Sequence, residues 1–154
     1  MHLLYNRANL SVPTQSGYDF VKSNMPLFKR KEKQRVLVVE DDALLAQVLM
    51  DKLGREEFST INVVNGLDVK GKVLQFKPAI ILLDLILPGL DGFEVLKLLK
   101  ANEQTKNIPV VVISNLGEES DVRSAKSLGA EEYFIKANIS LDKLLENIRK
   151  IINR

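Results

Sequence analysis

Three short runs in this chain are apolar almost without interruption: Val36–Val39, Ala79–Leu83 and Pro109–Ile113. A strand with one face in water alternates apolar and polar residues. A run apolar at every position is covered on both faces, which in a β protein means a parallel sheet with a helical layer on each side. The segments between these runs carry apolar residues at helical spacing instead. Strand and helix patterns therefore alternate along the chain, and that alternation restricts the fold to an α/β sandwich.

The units can be counted. Val36–Val39 reads as a strand. It is followed by a helix from Asp42 to about Arg55, with Leu45, Val48, Leu49 and Leu53 on one side. Phe58–Val64 reads as a strand closed by the turn pair Asn65-Gly66, and Asp68–Phe76 as a short helix ending before Pro78. Ala79–Asp84 is a strand, and Gly92–Ala101 a helix with Phe93, Leu96 and Leu99 inward. Pro109–Ser114 is a strand, Glu119–Leu128 a helix stopped by Gly129, and Tyr133–Lys136 a strand. Ser140–Asn153 has the cleanest stripe, Leu141, Leu144, Leu145, Ile148, Ile151 and Ile152, with Ser140 as N-cap. Five β/α units predict a doubly wound, five-stranded parallel sheet with helices on both faces.

In such sheets ligands bind beyond the carboxyl ends of the strands, where strand order reverses. The polar residues of interest fall at those ends. Glu40, Asp41 and Asp42 follow the first strand, Asp84 ends the third, Ser114 the fourth and Lys136 the fifth. If the first and third strands are neighbours, their carboxylates share one pocket. Like charges that close are tolerable only when protons or a cation neutralise them. An all-oxygen site without Cys or nearby His suits a hard divalent cation, Mg2+ foremost, and points to phosphate chemistry. A glycine-rich phosphate loop is missing after the first strand, where Glu-Asp-Asp would repel phosphate unless a metal intervened. Dinucleotide and P-loop readings therefore fit poorly.

Composition removes further classes. The 154 residues contain no Cys, which excludes disulfides, thiolate catalysis and Cys-type zinc sites. His2 is the only histidine, in an unpatterned segment, which argues against a histidine phosphodonor. A net charge of +2, with acids and bases interspersed after residue 35, gives no basic stripe for direct nucleic-acid contact. Apolar stretches are too short for membrane insertion, and no secretory layout opens the chain, so a cytoplasmic location is expected. Residues 1–34 hold Pro13, Pro26, Gly17 and a closing basic run, and read as a flexible basic N-terminal tail before a domain at 35–154.

Four motifs in order resemble the receiver domain of two-component response regulators. They are Val38-Val39-Glu40-Asp41-Asp42, then Asp84-Leu85-Ile86-Leu87-Pro88-Gly89-Leu90-Asp91-Gly92, then Ser114, then Tyr133-Phe134-Ile135-Lys136. The resemblance covers about residues 35–154. It implies a flavodoxin-like sheet of strand order 2-1-3-4-5 and a chemotaxis-type, stand-alone receiver architecture. Asp84 would be the phosphoacceptor, taking a phosphoryl group from a phosphohistidine on a sensor histidine kinase or phosphotransfer protein. Glu40, Asp41, Asp84 and the backbone carbonyl of Ile86 would hold Mg2+. Lys136 and Ser114 would contact the phosphoryl group, and Ser114 with Tyr133 would form the switch. Asp42 is expected as a helix N-cap rather than a ligand. Output would pass through an unidentified downstream protein, through a homodimer, or by handing phosphate onward. No enzymatic turnover beyond self-phosphorylation and autodephosphorylation is expected.

The chain departs from the family pattern in three places. Ala137 stands where proline usually follows the lysine, Asn115 follows the hydroxyl where a very small residue is common, and that hydroxyl is Ser rather than Thr. Two competing readings are a receiver-like interaction module that is never phosphorylated and a small Mg2+-dependent phosphohydrolase. The complete motif set weighs against the first. Asp84-Leu85-Ile86 lacks the second Asp of the Asp-x-Asp nucleophile motif common in the other.

Overall fold

A computed structural model describes residues 32–56 and 58–154. The tail expected over 1–34 lies outside the described residues apart from its last three, which are exposed and without regular structure.

Five parallel strands form one sheet in the order β2-β1-β3-β4-β5. They are β1 Arg35–Val39, β2 Ser59–Val63, β3 Ile80–Leu83, β4 Val110–Ser114 and β5 Glu132–Ile135. The helices are α1 Ala43–Arg55, α2 Gly66–Phe76, α3 Gly92–Ala101, α4 Glu119–Ser127 and α5 Leu141–Ile152, and a 3-10 turn spans Lys136–Asn138. Every predicted element is present, within two residues at each end. The start of α2 differs: Asn65-Gly66 does not make a free turn. The Asn65 side chain accepts a hydrogen bond from Leu67 N–H at 2.9 Å, so the helix begins at Gly66.

Successive residues of a strand point to opposite faces, and here both faces are dry. Leu37, Val39, Ile81, Leu83, Val110 and Val112 face α2, α3 and α4, meeting Val69, Val73, Leu96, Leu99 and Ala125. Val36, Val38, Ile80, Leu82, Val111 and Ile113 face α1 and α5, meeting Leu49, Leu53, Leu144, Leu145 and Ile148. The central strands β3 and β4 are buried throughout, and β1 from Val36 onward, as their unbroken apolar runs require. The edge strands β2 and β5 are half-buried, which accommodates Thr60, Asn62 and Glu132. On α1 the buried side is Ala46, Leu49 and Leu53. Val48, expected inside, is exposed, because the helix turns that position past the sheet. Among the described residues no helix is long and apolar enough to cross a membrane.

The site is positioned by register. Val38 pairs with Leu82 and Val39 with Leu83, so the residues one step further, Glu40 and Asp84, leave adjacent strands together. Asp84 N–H donates to the Val39 carbonyl at 2.9 Å, and Glu40 N–H to the Val63 carbonyl at 3.0 Å. The chain leaves β1 for β2 on one side and places β3 on the other, so order reverses between β1 and β3.

Candidate functional site

Glu40 and Asp84 are buried, with residue exposures of 2% and 3%, at the ends of β1 and β3. Buried carboxylates require compensation. Lys136, one residue past β5, supplies it from across the sheet. Its Nζ lies 2.7 Å from Asp84 Oδ2 and 2.8 Å from Glu40 Oε2. The second oxygens are also engaged: Asp84 Oδ1 accepts from Ile86 N–H at 3.2 Å, and Glu40 Oε1 from Asp42 N–H at 3.1 Å. Both carboxylate planes are therefore fixed before any ligand arrives.

Asp41 is exposed beside them. Glu40, Asp41 and Asp84 each offer one oxygen, all within 4.8 Å of one another. The donor set is all oxygen and anionic, which fits a hard divalent cation. The electrostatics agree. Burial raises the pKa of Glu40, and the bond from Lys136 only partly offsets it. For Lys136 burial acts downward, but the bonds to Asp84 and Glu40 outweigh it and its pKa is raised. The pocket thus holds a carboxylate whose charge is incompletely compensated.

Asp42 accepts from Leu44 N–H and Leu45 N–H at 2.9 and 3.0 Å, making it the N-cap of α1 as expected. Ser114 is fully buried at the end of β4, and its hydroxyl oxygen accepts from Leu116 N–H at 3.3 Å. The Tyr133 hydroxyl donates to the Leu116 carbonyl at 2.8 Å. Ser114 and Tyr133 therefore grip the same loop residue from its two backbone groups. Burial raises the Tyr133 pKa, with the neighbouring Ser114 hydroxyl acting the other way. Ile86 is exposed and Leu116 half-buried. Asn115 is exposed, and no peptide bond in the described residues, Lys136–Ala137 included, is cis.

Two features escaped sequence reasoning. Asn62 Nδ2 donates to the Glu40 carbonyl at 3.1 Å, pinning the turn that carries two of the carboxylates. Its signal was an amide inside a strand pattern. The loop after Asp84 is also locked to the start of α2. Gly66 N–H donates to the Pro88 carbonyl at 3.0 Å, and a Cβ on Gly66 would stand 1.8 Å from the Leu90 carbonyl oxygen. Gly89 has φ +78°, and its own Cβ would lie 2.1 Å from Asn65 Oδ1. Only backbones without side chains pack that closely.

Comparison with known proteins decides the family. The model of the response regulator receiver domain matches residues 36–149. The chain belongs to the response regulator receiver domain family. Similar curated proteins include the DNA-binding response regulator MtrA of Mycolicibacterium paratuberculosis, 36% identical over 104 residues, covering 68% of this chain and 45% of that protein. Sporulation initiation phosphotransferase F of Bacillus subtilis is 29% identical over 119 residues, covering 77% of this chain and 94% of that protein. Among solved structures, the Mn2+-bound form of response regulator Rcp1 is 31% identical with a TM-score of 0.66, covering 77% of this chain and 91% of that one. The receiver spans about half the length of MtrA and of several other relatives.

Proposed function

We propose that this receiver accepts a phosphoryl group on Asp84 from a phosphohistidine of a sensor histidine kinase or phosphotransfer protein. The observation that carries the proposal is the pocket itself: a buried aspartate at the sheet's switch point, held against Lys136, beside two further carboxylates. In the transfer an Asp84 oxygen attacks phosphorus and the P–N bond breaks. The imidazole leaves and is protonated, and an acyl phosphate remains.

Lys136 is placed to meet the incoming phosphoryl oxygens, since its ammonium already faces the Asp84 carboxylate. The Ser114 hydroxyl, whose oxygen accepts from Leu116 N–H, is the donor for another of those oxygens. Glu40, Asp41, Asp84 and the Ile86 carbonyl would hold Mg2+, which would neutralise charge on the transferring group. A shift of Ser114 towards a phosphoryl group would release Leu116 N–H, and Tyr133 would keep its hold on the Leu116 carbonyl. That makes the Ser114–Leu116–Tyr133 contact the switch. Residues 35–154 act as the receiver, with residues 1–34 outside the chemistry, in the cytoplasm where phosphohistidine donors are found. Output passes to a downstream protein, through a homodimer, or by handing phosphate onward, in keeping with the similarity to a protein named a phosphotransferase. The reading assigns no direct nucleic-acid contact to the receiver and no turnover of an external substrate.

The test is intact mass after incubation with Mg2+ and acetyl phosphate. One added phosphoryl group is expected, and none in Asp84→Asn, whose amide keeps the shape but is not a nucleophile. Equal labelling of the variant overturns the assignment.

A further inference from the structure

An apolar surface that the receiver chemistry leaves unused lies between α2 and α3. Leu67 is 67% exposed, Leu98 45% and Leu74 37%. Exposed leucines that border surface depressions are candidates for a binding surface. Leu67 and Leu98 flank a cleft of about 130 Å³. Two turns further along α2, Leu74 borders a second depression of about 410 Å³ that runs to the turn before β4. The two lie in line along α2, whose 11 residues span about 16 Å at 1.5 Å per residue. That is three turns of helix.

Charge decides what would fill the groove. The only charged residues lining the two depressions are Lys70 and Lys77, one beside each. Neither forms a salt bridge among the described residues, whereas Glu94 on α3 is already paired with Lys97. Lys77 is also the one non-glycine described residue with positive φ, at +51°. It closes α2 in the left-handed conformation that glycine adopts without strain. A lysine held there keeps a cation at the groove's lower end. The upper end is equally fixed, because the Gly66–Leu90 contact sets the spacing between the start of α2 and the loop before α3.

We propose that the α2–α3 groove is a docking site for an amphipathic helix of a partner protein, with leucine-type residues on one face and acidic residues along its flanks. The leucines would seat in the groove, and the acids would pair with Lys70 and Lys77. A second copy of this chain fits less well, since a symmetric pairing through this face sets lysines against lysines. The site is distinct from the Asp84 pocket, and its test uses unphosphorylated protein, so it stands or falls independently of the phosphoacceptor reading.

The probe is a synthetic helical peptide of about four turns, leucines every third or fourth residue and glutamates on both flanks. A control replaces the glutamates with lysines. Binding is followed by amide chemical shifts of the full chain. The glutamate peptide is expected to move signals of α2 and α3 and to bind more tightly than the lysine peptide. Leu98→Glu, at an exposed position that leaves the core intact, is expected to weaken it roughly tenfold. Lys70→Glu with Lys77→Glu is expected to reverse the preference between the peptides. Equal binding of both peptides, shifts mapping elsewhere, or an unaffected Leu98→Glu overturns the proposal. A wild-type dimer in sedimentation that Leu98→Glu dissociates also overturns it, by giving the groove to a second copy.

Discussion

Replacing Lys136 with methionine keeps most of the aliphatic stem and deletes the charge that Glu40 and Asp84 share. Both carboxylates are nearly inaccessible, and the lysine side chain is only 12% exposed, so water cannot take over the ammonium's role. Breaking a buried pair by removing one partner costs about 3–5 kcal/mol. The protein has a way to limit that cost, which is to protonate Glu40, whose pKa burial already raises. From an ordinary value of 4.5, protonation at pH 7 costs about 3.4 kcal/mol at 1.36 kcal/mol per unit. We expect a loss near 3 kcal/mol in EDTA, or about 12 °C in Tm for a domain of this size. The sign with pH follows. A carboxyl whose folded-state pKa is raised destabilises nothing below its unfolded value, and its cost grows as pH rises through the folded value. The deficit should therefore shrink between pH 7 and pH 5. A divalent cation is the other remedy. At a hundred times its dissociation constant Mg2+ adds about 2.7 kcal/mol, and the gain should be larger in Lys136→Met, where no ammonium competes for the carboxylates. The assay is urea unfolding of both proteins with EDTA and with Mg2+, at pH 7 and pH 5. A deficit under about 1 kcal/mol at pH 7, or equal Mg2+ increments, refutes the claim that Lys136 is the pocket's internal counter-cation.

Asp41→Ala should raise the Mg2+ requirement for phosphorylation roughly tenfold by removing one anionic ligand; an unchanged Mg2+ titration rules Asp41 out as a ligand. The same variant should unfold at equal or higher urea without metal, because one like charge leaves the cluster. Gly66→Ala should destabilise the fold by about 1–3 kcal/mol, since its Cβ would collide with the Leu90 carbonyl; a wild-type urea midpoint would mean that the loop yields freely. The acyl phosphate should be long-lived, because Ile86 and Leu116 cannot orient an attacking water, and Ile86→Asn with Leu116→Glu should hasten its decay; equal decay rates after donor removal exclude shielding by these two positions. A chain starting at Lys31 should fold and accept phosphate as the full chain does, and failure to fold would assign residues 1–30 a structural role.

The sequence by itself determined the sheet and its layers. Unbroken apolar runs at β1, β3 and β4 demand cover on both faces, and the helical stripes of α1, α3 and α5 provide it. The carboxylates, Ser114 and Lys136 could be placed at strand ends, because strand ends are local and the chain runs the same way in every strand. Asp42 and Ser140 were legible as caps for the same reason: a cap is a relation between residues three apart. What tertiary structure alone decided is what meets across the sheet. Lys136 lies 96 residues from Glu40, yet its ammonium sits between Glu40 and Asp84, a contact set by strand order and register that no local pattern encodes. The Asn62 bond to the Glu40 carbonyl and the Gly66–Leu90 approach are of the same kind. So is the exposure of Val48, which helical spacing alone had turned inward. Periodicity specifies that a helix has an apolar side; how wide a stripe the neighbouring layer covers depends on where that layer ends.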